Sequence, residues 1–168
     1  MKKDLLLLFA LILIIALLIS GVEIKSVEEY YLEHSEDVGE GDPFVTLSIR
    51  CDLALASERL DPALRALLPQ DGVILPPTVL RLREGDSVFD LLSRAVRTHR
   101  IRIETSRSAG AVYVKGIADL YERDAGDLSG WVFFVGGEEP LRDASSVTPR
   151  DGDTVEWCYT LDLGRDIK

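Results

Sequence analysis

Histidine and cysteine are scarce in this chain: two of each among 168 residues, with a single methionine. His34 lies in an acidic segment and His99 among arginines, so neither a Ser-His-Asp triad nor a zinc site finds a suggestive spacing. No G-x-S-x-G elbow and no P-loop occur, and the G-x-G of Gly39-Glu40-Gly41 has no strand before it. Hydrolase and nucleotide-enzyme chemistries lose their usual support, and the chain reads as non-enzymatic. Basic charge is also short. Nineteen Lys and Arg face 29 Asp and Glu for a net charge of −10, which argues against a general nucleic-acid binder. The length leaves room for one ordinary domain with a terminal extension and excludes a repeat array.

What is present begins with an apolar block. Leu5 to Ile19 contains no polar residue and extends through Ser20 and Gly21 to Val22. The resulting helix of about 18 residues, ~27 Å long, just crosses a hydrocarbon core. Lys2 and Lys3 precede it and acids follow, which puts the N-terminus in the cytoplasm and the remainder outside. The pairs Ile19/Gly21 and Ser20/Val22 each offer only one of the two small residues a signal peptidase requires, and no cysteine follows for lipid attachment. Residues 1–22 are therefore expected as an uncleaved signal anchor, a single transmembrane helix in the cell membrane, with a cleaved secretory peptide as the alternative. Residues 23–42, rich in acids such as Glu28, Glu29, Glu36 and Asp37, form an acidic stalk ended by Gly39, Gly41 and Pro43. Residues 43–168 form the extracytoplasmic domain.

Within that domain, Val45 to Leu53 alternates apolar and polar residues as a half-buried strand does. Ser57 to Pro69 reads as a short surface helix admitting Pro62 in its first turn. Asp71-Gly72 turns the chain, Pro76-Pro77 forbids helix, and Thr78 to Arg83 reads as a strand. Ser87 is the expected N-cap of an amphipathic helix whose Val88, Leu91, Leu92, Ala95 and Val96 share one face. Arg94, Arg97 and Arg100 fall toward its C-terminal half, where they suit the helix dipole, and with His99, Arg102 and Arg107 they form the basic concentration of an otherwise acidic chain. Further strands are expected over Ile101–Thr105, Ala111–Ile117, Trp131–Val135 and Thr154–Leu161, with Gly136-Gly137 and Asp151-Gly152 as turns. Trp131–Val135 is apolar throughout and is expected as a central strand covered on both faces. The fold class is α+β: a β-grasp-like mixed or antiparallel sheet with one packed helix.

The two cysteines are not expected to pair. Cys51 falls on the apolar face of its strand and Cys158 opposite Trp157 and Tyr159, so in one sheet the side chains point apart. The loop of Asp119, Glu122, Asp124 and Asp127 lacks EF-hand spacing and carries Arg123 in its middle, so no metal site is assigned there.

Gly85-Asp86-Ser87-Val88-Phe89-Asp90-Leu91-Leu92 is followed by Gly116-Ile117, Leu120-Tyr121-Glu122 and Ser129-Gly130-Trp131-Val132-Phe133. Asp151-Gly152-Asp153-Thr154-Val155-Glu156-Trp157 and Asp162-Leu163-Gly164-Arg165-Asp166 complete the series. In this order the set resembles a bacterial domain family of unknown function that is itself similar to the C-terminal domain of transcobalamin. The resemblance covers about residues 79–167, and Phe44 to Leu75 looks like an N-terminal extension. It implies an exported β-grasp-like domain without established catalytic residues, and a corrinoid such as cobalamin as a candidate ligand, with no cofactor required. Family members carry cysteines at positions that here are Ala125, Ala144 and Leu161, so disulfide stapling does not carry over.

The expected function is thus a membrane-anchored, extracytoplasmic binding or interaction module, with a corrinoid or an envelope protein as partner. The alternatives are a structural surface or adhesion domain and an accessory subunit of an envelope enzyme. A lone domain without a second wall buries little ligand, so corrinoid affinity no better than about high micromolar is expected. The candidate platform is Tyr121, Trp131 and Phe133, with Asp124 and Asp127 at its rim.

Overall fold

The computed structural model describes residues 38–108 and 110–167. The expected anchor, residues 1–22, and the stalk up to residue 37 lie outside them. No helix among the described residues is long and apolar enough to cross a membrane. The elements run β1 (Phe44–Arg50), α1 (Asp52–Ala56), α2 (Pro62–Arg65), β2 (Val73–Arg81), α3 (Val88–Thr98), β3 (Ile103–Ser108), β4 (Ala111–Ile117), β5 (Leu120–Tyr121), β6 (Gly130–Val135) and β7 (Thr154–Thr160).

The α+β class holds, but the strands divide between two sheets where one was expected. A mixed four-stranded sheet has the order β2-β1-β7-β6, and an antiparallel one has the order β3-β4-β5. In the larger sheet β1 and β7 run parallel, with Leu47 opposite Val155 and Ile49 opposite Trp157. Their alternation places Val45, Leu47, Ile49, Val155, Trp157 and Tyr159 in one buried core. The helix α3 closes that core against β1 with Val88, Leu91, Leu92, Ala95 and Val96.

The start of α3 follows from its sequence. Ser87 Oγ accepts from Asp90 N at 3.2 Å and Asp90 returns a carboxylate to Ser87 N at 2.9 Å, a capping box with aspartate in the third position. Its end is a Schellman motif: Ile101 N donates to Val96 O at 2.8 Å and Arg100 N to Arg97 O at 3.2 Å. Arg100 holds the left-handed position, φ 54°, that glycine ordinarily fills. This cap consumes Ile101, so β3 begins at Ile103, two residues later than expected.

Other boundaries move for tertiary reasons. Cys51 N donates to Gly72 O at 2.7 Å and the β1–β2 ladder ends at Arg50–Val73. Asp52 and Leu53, expected in the strand, therefore turn into α1. The expected 57–69 helix contracts to α2, where Asp61 accepts from Ala63 N at 2.7 Å ahead of Pro62. The strand β2 starts before the prolines rather than after them. Between Leu47–Thr78 and Ile49–Leu75 its register slips by one residue, so Pro76-Pro77 forms a bulge on a sheet edge, where proline is tolerated.

The expectation for Trp131–Val135 is overturned. The strand β6 lies at the edge of its sheet, paired only with β7. Trp131 and Phe133 are buried, while Val132 and Phe134 are half-covered. An unbroken apolar run here reflects one core face and one partly sheltered face, not two core faces.

Candidate functional site

The edge position of β6 leaves a cleft of about 190 Å³ between β4, β6 and the segment 139–144. Val112, Tyr113 and Val114 form one wall, Trp131, Val132 and Phe133 another, and Trp157 on β7 also lines it. Phe133 and Trp157 are cross-strand partners, their rings 5.2 Å apart and tilted by 33°. Glu139, Arg142 and Asp143 bring charge to the site.

The two tryptophans differ in one respect. Trp131 Nε1 donates to Leu120 O at 2.8 Å, and its ring meets Tyr159 edge-on at 5.3 Å. Trp157 is 2% exposed and its Nε1 has no hydrogen-bond partner. A buried N–H left unpaired costs about 1–3 kcal/mol, and buried donors are paired in the great majority of cases.

Asp143 anchors the segment that borders the cleft. Its Oδ1 accepts from the Ser145 hydroxyl and from the Ser145 amide at 3.0 Å, and hydrogen bonding of this kind, the Ser145 hydroxyl first, holds its pKa down at about 2. The Ser146 hydroxyl donates to the Asp143 carbonyl at 2.9 Å and tightens the same turn. Tyr113 Oη donates to Glu122 at 2.7 Å, and partial burial with that carboxylate pushes the phenol up to about 12. Neither Asp143 nor Tyr113 is poised for proton transfer near neutral pH.

Of the residues expected to bind ligand, Trp131 and Phe133 line the cleft, though mainly as core residues. Tyr121, Asp124 and Asp127 do not. Tyr121 is exposed, and its ring covers Gly116 so closely that an added Cβ there would stand 2.5 Å from it. Its amide donates to Asp124 at 2.7 Å and its carbonyl accepts from Tyr159 Oη at 2.7 Å, so Asp124 is spent on the loop itself. Asp127 is exposed. The four acids of this loop do not converge: Asp119 pairs with Arg102 at 2.9 Å and Glu122 accepts from Tyr113. Among the described residues no three His, Cys, Asp or Glu side chains gather as a metal site.

Tyr113, Glu139, Arg142, Asp143 and Trp157 escaped the sequence reading as site residues. Only Trp157 left a trace, as an inward position of the last strand; its neighbour across the ladder is set by register. The cysteines agree with the parity argument. Both are free and buried, Arg50 lies opposite Cys158 in the ladder, and Cys51 is the next residue along. Arg50 Nε donates to Cys158 Sγ at 3.3 Å.

Residues 85–160 match the profile of a family described as a domain of unknown function (DUF4430), which upholds the resemblance read from the sequence. Among solved structures, haptocorrin in complex with Cbi shares the fold at a TM-score of 0.50 and 14% identity, over 73% of this chain and 26% of that one. The chain thus spans about a quarter of haptocorrin's length, 26%. A protein of Ruminococcus gnavus ATCC 29149, described only provisionally as metal binding, aligns at a TM-score of 0.43 and 12% identity over 71% of this chain and 97% of its own. No curated protein matches.

Proposed function

We propose that this chain, whose residues 85–160 carry the DUF4430 domain, is a non-enzymatic ligand-binding module held on the outer side of the cell membrane by residues 1–22. The cleft between β4 and β6 is its binding site. The observation that carries this reading is the unpartnered indole donor of Trp157 on the wall of an aromatic cleft. A corrinoid is a candidate ligand, supported by the fold shared with haptocorrin. At about 190 Å³ the cleft is smaller than the ~300–1,000 Å³ typical of small-molecule sites, so it admits a peripheral arm of a macrocycle and leaves the ring outside. One-sided contact of that kind offsets little of the association cost, and affinity no better than about high micromolar follows.

Titrating the full chain in detergent with cobinamide, followed by tryptophan fluorescence, tests this. Weak saturable quenching is expected; a submicromolar affinity would refute the one-sided site.

A further inference from the structure

The cleft has more free donors than free acceptors. Trp157 Nε1 is unpartnered, and Arg142 makes no hydrogen bond or ion pair among the described residues. Of the two lining carboxylates, Asp143 is engaged, while Glu139 has no hydrogen bond or ion pair among the described residues. Asp143 Oδ1 is held by the Ser145 amide and hydroxyl. The Glu139 carboxylate lies against Gly164, where an added Cβ would stand 2.7 Å from its Oε2. The rest of the wall is apolar or aromatic. We propose that the cleft binds a compact apolar ligand through a carboxylate, its oxygens accepting from the Arg142 guanidinium and from Trp157 Nε1. This rests on the cleft being the ligand site, as argued above. The guanidinium offers a planar, permanently charged fork suited to a carboxylate, and the indole offers a single N–H. Nε1 is closed to solvent, so the proposed contact requires the wall around Trp157, where Phe133 is its cross-strand neighbour, to open as the ligand enters. The volume of about 190 Å³ limits the apolar body to roughly one ring.

Phenylacetate and phenylacetamide, of nearly equal shape, separate the carboxylate from the ring. In calorimetric titrations of the full chain in detergent, phenylacetate is expected to bind at least about tenfold more tightly than the amide. Arg142→Gln, on an exposed side chain, is expected to remove that difference by weakening the acid alone, and Trp157→Phe to weaken both. A peptide ending in a free phenylalanine carboxylate, run alongside, tells a chain terminus from a free small acid: at least tenfold tighter binding than phenylacetate identifies a terminus, and weaker binding a free acid. Equal affinities for acid and amide, or an Arg142→Gln variant that binds phenylacetate unchanged, would overturn the carboxylate inference while leaving the cleft as the site. Absence of binding by both probes and by cobinamide would overturn the cleft reading as well.

Discussion

Tyr159 joins three segments through one hydroxyl. It donates to Tyr121 O at 2.7 Å and lies 2.9 Å from Ser129 Oγ, which donates in turn to Gly126 O at 2.7 Å. The loop between β5 and β6 is thereby tied to the last strand from below. Tyr159→Phe keeps the ring and removes one hydrogen bond, while Tyr121 O still accepts from Asp124 N and Ser129 Oγ keeps Ala125 N and Gly126 O, so a loss of about 0.5–1.5 kcal/mol is expected in chemical denaturation, with m unchanged. The thiols make a second residue-scale case. Burial pushes Cys51 from its ordinary 9.0 up to about 12, and burial raises Cys158 although Arg50 beside it pulls the other way. Because the folded pKa is raised, the neutral thiol contributes stability that is complete below the unfolded value and is lost as pH rises from about 9 through about 12. At pH 8 neither cysteine is expected to react with a thiol reagent on the native protein, and both are expected to react in denaturant. Rapid labelling of the native form would show that these sites open.

Among the elements, α3 was the most legible. Its cap, its apolar stripe and its C-terminal arginines all lie within one window, so local sequence suffices. Its two ends also give opposite expectations. Ser87→Ala removes the capping box and should cost about 1 kcal/mol. Arg100→Gly relieves a left-handed arginine and should stabilise by about 0.5–1 kcal/mol, less the entropy that glycine adds to the unfolded chain. Thermal melts of both variants check the pair, and a destabilised Arg100→Gly would mean that the arginine side chain matters more than its backbone. The strands β1 and β7 were legible by alternation, because each has one face on the core. Where the reading failed, the cause was distant. The helix α1 exists because Gly72 captures the Cys51 amide, and Asp52-Leu53 alone continues the alternation of β1. The edge position of β6 depends on which strand pairs with β7, which no local pattern encodes. The cleft was least legible of all. Its walls come from β4, β6, β7 and the 139–144 segment, and only register sets Trp157 beside Phe133.

At the scale of the whole molecule, two sheets meet where the smaller one leaves β4 close to the edge strand β6, and Asp143 closes the turn of the flanking segment through Ser145 and Ser146. Its carboxyl is held below its ordinary 3.8, at about 2, so its contribution is present above the unfolded value and is lost as pH falls from 3.8 through about 2. The Ser145 amide is expected to shift in that window in an NMR pH titration, and Asp143→Asn to remove the transition. A Ser145 amide that stays still as Asp143 titrates would contradict the bonded turn. The proposed binding cleft belongs to this junction and not to the Tyr121–Asp127 loop, whose polar groups are largely spent on one another. The chain's two tryptophans make the distinction measurable, since a ¹⁵N-indole spectrum has one signal for the bonded Trp131 and one for the unpartnered Trp157. When the full chain is titrated with cobinamide or phenylacetate, the Trp157 signal is expected to move; a stationary Trp157 signal with shifts confined to residues 121–127 would contradict the assignment of the cleft.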